Sequence, residues 1–230
     1  MHTLASPTVK RKVYTVVTKV RLGRATPDAR RAEIIEIATA VFMVRGYADT
    51  AMSMIAERLG GSKATLYKYF PSKEELFEAV MAQSCAVVLE PLRDIATSEG
   101  EIGEVLRIFG RALMSAIFQP SALALYRIVH AEGERFPQLA NMFFTRGPDE
   151  GYAVLAEYLQ RLHERGEIRC PEPWLTAQQI AGMFRGDLHT RVACGAADVP
   201  DDRQIEASVE NAVRICLSGL LADSRPGRRE

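Results

Sequence analysis

The stretch from Asp49 to Lys73, DTAMSMIAERLGGSKATLYKYFPSK, restricts what this chain can fold into more than any other part of it. Met52, Ile55, Ala56 and Leu59 recur at i, i+3, i+4 and i+7, which predicts one apolar helical face. Thr50 is the expected N-cap of that helix. Gly60-Gly61 is the expected stop, because glycine tolerates the backbone angles found past a helix end. Ser62 then caps a second helix from Lys63 to about Phe70, with Leu66 and Phe70 turned inward. Lys63, Thr65, Tyr67, Lys68 and Tyr69 are left on the outer side. No acidic residue falls between Arg58 and Glu74, whereas a merely solvated helix mixes both signs of charge. Lysine ammonium, threonine hydroxyl and tyrosine hydroxyl groups bind phosphate oxygens and base edges. Two helices joined by a glycine turn, the second with such a face, describe a DNA-binding helix-turn-helix. A plain helical hairpin with a basic face is the alternative.

The charge distribution agrees with a polyanion partner at one end only. The net charge is zero, yet residues 1–75 hold 13 Lys+Arg against 7 Asp+Glu, and the rest holds 16 Arg against 22 Asp+Glu. A basic N-terminal part on an acidic remainder suits a nucleic-acid reader joined to a domain that must stay off DNA. Residues 1–25 carry Lys10, Arg11, Lys12, Lys19, Arg21 and Arg24 and no acid. They read either as an arm along the DNA backbone or as a solvated tail, with Arg24 and Arg21 best placed for phosphate.

Further along, helical periodicity continues. Thr26-Pro27 starts a helix, with Ile34, Ile37, Ala38, Val41 and Phe42 as its apolar stripe and Gly46 as its end. Ser72 and Glu75 form a capping box for a fourth helix running to Pro91, with Lys73 in its first turn within reach of a phosphate. Helices are then expected over 101–118, 121–133, from Pro137, over 148–165 and 174–193, and to about Leu221, with no strand. The fold class is therefore all-α. It comprises an N-terminal three-helix helix-turn-helix domain and a C-terminal helical ligand-binding and dimerisation domain. The expected divisions are a basic arm over 1–25, the DNA-binding domain over 26–87, the effector and dimerisation domain over 88–222, and a disordered tail over 223–230.

The same residues resemble the DNA-binding region of the TetR family of one-component regulators. The resemblance is carried by Arg30 to Ile35, Ala40 to Tyr47, Thr50, Ile55-Ala56, Ser62 to Tyr67, and Tyr69 to Leu76, over about 60 residues. It implies that the second motif helix enters the major groove as one arm of a dimer. It also implies DNA contacts at Thr50, Lys63, Ala64, Thr65, Tyr67, Lys68, Tyr69 and Lys73. The segments Leu125 to Glu132 and Arg135 to Ala140 resemble the C-terminal domain of AefR-like members of the family.

Catalytic and metal signatures are lacking in the sequence. His2, His130, His163 and His189 do not pair at metal spacing, and there is no G-x-S-x-G, phosphate-cradling glycine loop or G-x-G-x-x-G. No enzyme activity, metal or cofactor is expected. Cys85, Cys170, Cys194 and Cys216 lie far apart and read as reduced packing thiols of a cytoplasmic protein. No apolar run approaches membrane-spanning length, so no membrane partner is expected.

The partners expected are double-stranded operator DNA, a second copy of the chain and a small-molecule effector. One recognition helix reads only a few base pairs, so useful specificity calls for a palindromic site and a two-fold dimer. Helices 148–165 and 174–193 are the expected interface, through Tyr152, Leu155 and Leu159 and the four-apart Gly182 and Gly186. Phe109, Leu113, Phe118, Tyr126, Met142, Phe143 and Phe144 are expected to line the effector cavity, with Arg127 or His130 orienting a polar group and Trp174 and Phe184 weaker members. The set points to an uncharged or weakly acidic, largely apolar molecule that releases a repressor from DNA. An activator or corepressor-dependent regulator of this fold is the alternative. A helical ligand-binding or enzymatic protein with an incidental hairpin is the alternative of another class.

Overall fold

The computed structural model describes residues 26–60 and 62–221, so Arg24, the arm, Gly61 and the C-terminal tail lie outside the described residues. Eleven α-helices make up the described fold: α1 (Pro27–Arg45), α2 (Met52–Leu59), α3 (Lys63–Tyr69), α4 (Lys73–Leu89), α5 (Ile102–Ile117), α6 (Pro120–Glu132), α7 (Pro137–Arg146), α8 (Pro148–Glu164), α9 (Pro173–Arg185), α10 (Leu188–Ala193) and α11 (Asp202–Leu220). A 310 turn over Glu90–Ile95 follows α4, where Pro91 prevents the α-helix from continuing. Among the described residues there is no strand, only an isolated antiparallel bridge between Ile168 and Leu221. No single described helix is long and apolar enough to cross a membrane.

Several helix starts follow from local chemistry. Thr26 accepts from the Ala29 amide at 3.3 Å, with Pro27 at the first helical position. Ser62 accepts from the Thr65 amide at 3.2 Å, and Ser72 from the Glu75 amide at 3.1 Å. Asp201 and Gln204 form a reciprocal capping box at the start of α11. Gly60 ends α2 with φ of 63°, a left-handed cap. The expected cap at Thr50 is corrected. The N-cap is Ala51, and Thr50 is only 2% exposed, its hydroxyl donating to Gly46 O at 2.7 Å. The continuous helix expected over 174–193 is also corrected. The chain turns at Gly186, where φ is +50°, and α10 restarts at Leu188.

Two hydrophobic cores result. The first joins Ile34, Val41 and Phe42 of α1, Ile55 and Leu59 of α2, Leu66 of α3, and Leu76, Phe77 and Met81 of α4. It does not stop there: Leu125, Ile128 and Val129 of α6 and Leu139 of α7 complete it. At its centre the Phe77 ring meets those of Phe42 and Tyr47 edge-on, each at 5.0 Å between centroids. The second core gathers α5, α8, α9 and α11 around Phe109, Leu155, Tyr158, Leu159, Phe184 and Val213. Both α4, which ends at Leu89 in the second core, and α6 therefore tie the N-terminal head to the rest.

Candidate DNA-reading helix and internal cavity

The α3 helix is short because Pro71 and the Ser72 cap of α4 follow it directly. Leu66 and Phe70 anchor it in the head, at 0% and 2% exposure. This leaves Lys63, Ala64, Tyr67 and Lys68 exposed, with Thr65 and Tyr69 half-buried beside them. Ser62 is exposed too, but its oxygen is occupied by the Thr65 amide and lies 3.1 Å from the Thr65 hydroxyl. These side chains lie on the outer side of α3, which itself carries no acidic residue.

Two expected contacts are placed otherwise. The Thr50 side chain is buried and its hydroxyl is spent on Gly46 O, so it presents no group to DNA. Lys73 Nζ donates to Tyr47 O at 2.8 Å and lies 4.2 Å from the centre of the Tyr47 ring. It is a strut inside the head rather than a free ammonium.

The turn between α1 and α2, which Lys73 holds from one side, is held from the other by Glu132 at the end of α6. Its carboxylate accepts from the Tyr47 amide at 2.8 Å and the Ala48 amide at 2.6 Å, across 85 and 84 residues of sequence. Gly46 makes room for this. Its φ is +78°, and a Cβ there would stand 2.6 Å from a Glu132 carboxylate oxygen. The Tyr47 hydroxyl in turn donates to Glu74 at 2.8 Å, and burial followed by that partner pushes the phenol well above its ordinary range. No sequence pattern signals Glu132, because its partners are backbone amides far away in the chain.

Above α6 the second core is not closed. A cavity of about 230 Å3 lies among α4, the 310 turn and α5 to α10. Phe109, Leu113, Tyr126, His130, Phe143 and Phe144 line it, as expected from the sequence. Phe118, Arg127 and Met142 do not. Phe118 is buried beside the His189 ring at 5.8 Å. Arg127 donates to the Ala193 carbonyl at 2.7 Å and the Val192 carbonyl at 3.0 Å, so it satisfies the C-terminus of α10. Met142 sits on α7 outside the wall, and Trp174 and Phe184 do not reach it either.

The sequence reading missed several wall residues: Ser84, Cys85, Tyr152, Arg185 and His189. Arg185 Nε donates to Ala181 O at 3.2 Å and an Nη to the Tyr152 hydroxyl at 3.2 Å. His189 is 6% exposed and packs edge-on against Tyr126 at 4.5 Å. Burial, with Arg185 and His130 nearby, pushes its pKa down to about 4, so the ring is neutral at pH 7. Burial pushes the Cys85 thiol up to about 11, so it is inert as a nucleophile. Among the described residues no cluster of His, Cys, Asp or Glu can hold a metal ion.

The expected dimer residues divide. Tyr152, Leu155 and Leu159 are at most 9% exposed and belong to the second core and the cavity wall, so α8 offers no such face to a partner. Gly182 lies on the outer side of α9 with open space beside it, and Gly186 is exposed. On α9 and α11, Leu175, Met183 and Ile215 are exposed at 48%, 38% and 46%.

These features are shared with known proteins. Residues 34–80 match the model of bacterial regulatory proteins of the tetR family, and residues 104–219 match the C-terminal domain of AefR-like transcriptional repressors. The transcriptional regulator RutR of Escherichia coli K12 is 40% identical over 216 residues, 89% of this chain and 96% of that one. The transcriptional activator FasR of Mycolicibacterium smegmatis is 45% identical over 62 residues, 26% of this chain, and the match spans 28% of FasR's own length. The solved structure of the flavonoid-responsive regulator FrrA superposes with a TM-score of 0.72 at 29% identity, covering 85% of this chain and 98% of that one. An all-helical chain with this helix-turn-helix head and this C-terminal half belongs to the TetR family of DNA-binding transcriptional regulators, which are not enzymes.

Proposed function

We propose that the chain is a homodimeric repressor that binds a palindromic operator and is released by a small, largely apolar effector. Residues 26–87 form its reading head and residues 88–222 its effector and dimerisation domain. What supports this reading is an exposed helix face carrying Lys63, Tyr67 and Lys68 and an apolar cavity, joined by the same two helices. A ligand in the cavity touches Ser84 and Cys85 of α4 and Tyr126 and His130 of α6, and both helices end in or pack on the head. Such a ligand shifts the DNA-binding equilibrium only by its preference for one arrangement of those helices.

In this reading Lys63, Thr65 and Lys68 read base edges, while Tyr67 and Tyr69 hold phosphates. The second copy covers Leu175, Met183 and Ile215 on α9 and α11, in place of the α8 residues first expected. Free, mostly buried thiols suit a cytoplasmic setting, where DNA is. A flat aromatic guest suits walls made by Phe109, Phe143 and Tyr126, and FrrA by its name answers to flavonoids. An activator is the second reading, favoured by the match of the head to the activator FasR.

Selection of operator DNA from a random pool, followed by gel retardation, tests the proposal. A palindromic consensus bound by two chains is expected. Lys63→Ala should cost ~1–3 kcal/mol and relax one position, while Tyr67→Phe should weaken all sequences alike. Light scattering that gives a monomer at micromolar concentration, or variants that leave binding unchanged at every salt concentration, would refute it.

A further inference from the structure

The cavity wall holds one guanidinium and two imidazoles and no carboxylate. Arg185 carries a permanent positive charge, and the two imidazoles are those of His130 and His189. The remaining polar groups are the hydroxyls of Ser84, Tyr126 and Tyr152 and the Cys85 thiol, and no carboxylate lines the wall. Glu150, the acid that raises the Cys85 pKa, is itself exposed to solvent.

Arg185 is the unusual member. Arg107, Arg111, Arg161, Arg165 and Arg191 each have a carboxylate partner within ion-pair distance, whereas Arg127, Arg135, Arg169, Arg203 and Arg214, which have none among the described residues, are all exposed to solvent. Arg185 has none among the described residues, only a backbone carbonyl and the Tyr152 hydroxyl. A guanidinium facing apolar walls without a counter-ion is a poorly compensated charge, and the compensation missing from the chain is supplied by an anionic guest. The apolar remainder of the wall then takes the hydrocarbon body of the same molecule.

We infer that the effector is an apolar organic acid whose carboxylate pairs with Arg185 beside Tyr152. The inference rests on reading the cavity as the effector site. The Ala181 carbonyl and the Tyr152 hydroxyl occupy Nε and one Nη of the guanidinium and leave the other Nη for the carboxylate, while His130 and His189 pack against Tyr126 in the same wall. The sequence reading allowed an uncharged guest, and the unpaired Arg185 disfavours it.

Calorimetry on the full chain with three probes of one shape tests this: 2-naphthoate, 2-naphthamide and 2-naphthylmethylammonium. The acid is expected to bind at least tenfold tighter than the amide and the ammonium. Arg185→Gln should bring the acid down to the amide's affinity without changing the amide, and Arg185→Lys should keep part of the preference. Leu113→Trp, which fills the cavity, should abolish binding of all three. If the amide or the ammonium binds as tightly as the acid, or the preference survives Arg185→Gln, the inference is overturned while the effector-site reading stands. If no probe binds, or binding ignores Leu113→Trp, that reading falls and takes the inference with it.

Discussion

The two cores of this molecule are finished differently. Around Phe42, Tyr47 and Phe77 the head is closely packed, with three rings 5.0 to 6.0 Å apart between centroids and each at most 1% exposed. Around Phe109 and Tyr152 the second core leaves a hole of about 230 Å3. A close-packed interior transmits displacement as a rigid body, whereas a hollow one can be filled and re-spaced. The head therefore acts as a unit that is aimed, and the C-terminal half as the part whose spacing a guest can change. α4 and α6 take part in both.

The largest effect expected from this contrast is on stability. Phe77→Ala should cost about 3–5 kcal/mol, since Phe77 is 0% exposed and the head has no slack to absorb the void. Leu113→Trp, in the cavity wall, should cost less than about 1 kcal/mol, because the added ring enters space that is already empty. Urea unfolding measures both. Equal costs would mean that the cavity is closed in solution.

Next in size is the joint between the two parts. Gly46→Ala forces a side chain into a φ of +78° and sets its Cβ 2.6 Å from the Glu132 carboxylate. Backbone strain and the loss of two charge-assisted hydrogen bonds should together cost about 3 kcal/mol. Glu132→Ala leaves the backbone unstrained but frees the turn from α6. The expected outcome is a smaller change of operator affinity on effector binding, read as the ratio of affinities with and without ligand. An unchanged ratio would leave the coupling to α4 and to the apolar contacts of α6 and α7 with the head.

A third test concerns the hollow side alone. His189 has its pKa pushed down to about 4 from the ordinary 6.5, chiefly by burial. Between those values the unfolded chain binds the proton more readily than the folded one, so stability falls as pH drops from 6.5 towards 4 and this contribution then levels off. The gap corresponds to at most about 3 kcal/mol. His189→Asn should flatten that part of the profile, measured as the difference between wild type and variant in urea unfolding at each pH. A parallel pair of profiles would mean that water reaches the ring.

The two parts also differ in how far the sequence disclosed them. The reading helix is seven consecutive residues with a cap on each side, so period, Ser62, Gly60 and the absent acids all lie within one window. The cavity takes residues from α4, the 310 turn and α5 to α10, and each appears in its own helix only as a member of an apolar stripe. That is why Tyr152, Leu155 and Leu159 suggested a dimer face. Periodicity shows that a stripe is covered, not by what. Arg185 and His189 carried no signal because their meaning lies in the acid that is missing around them. Arg127, which the sequence suggested for the cavity, serves the end of α10 instead.

The smallest expected effect separates the two roles open to Lys73. As a phosphate ligand it would contribute one released counterion, and Lys73→Ala would reduce the slope of log affinity against log salt by about 0.9. As placed, its ammonium donates to Tyr47 O at 2.8 Å and Ala48 O at 3.5 Å, on the same two residues whose amides Glu132 holds. The turn is thus clamped between a base on its carbonyls and an acid on its amides. Release of the base frees one strong hydrogen bond and a contact with the Tyr47 ring, and exposes little apolar surface. Lys73→Ala should therefore lower stability by about 1 kcal/mol and leave the salt slope unchanged, with any loss of operator affinity equal at low and high salt. A slope reduced by nearly one, with stability intact, would return Lys73 to the DNA and leave the turn to Glu132 and the Thr50 hydroxyl.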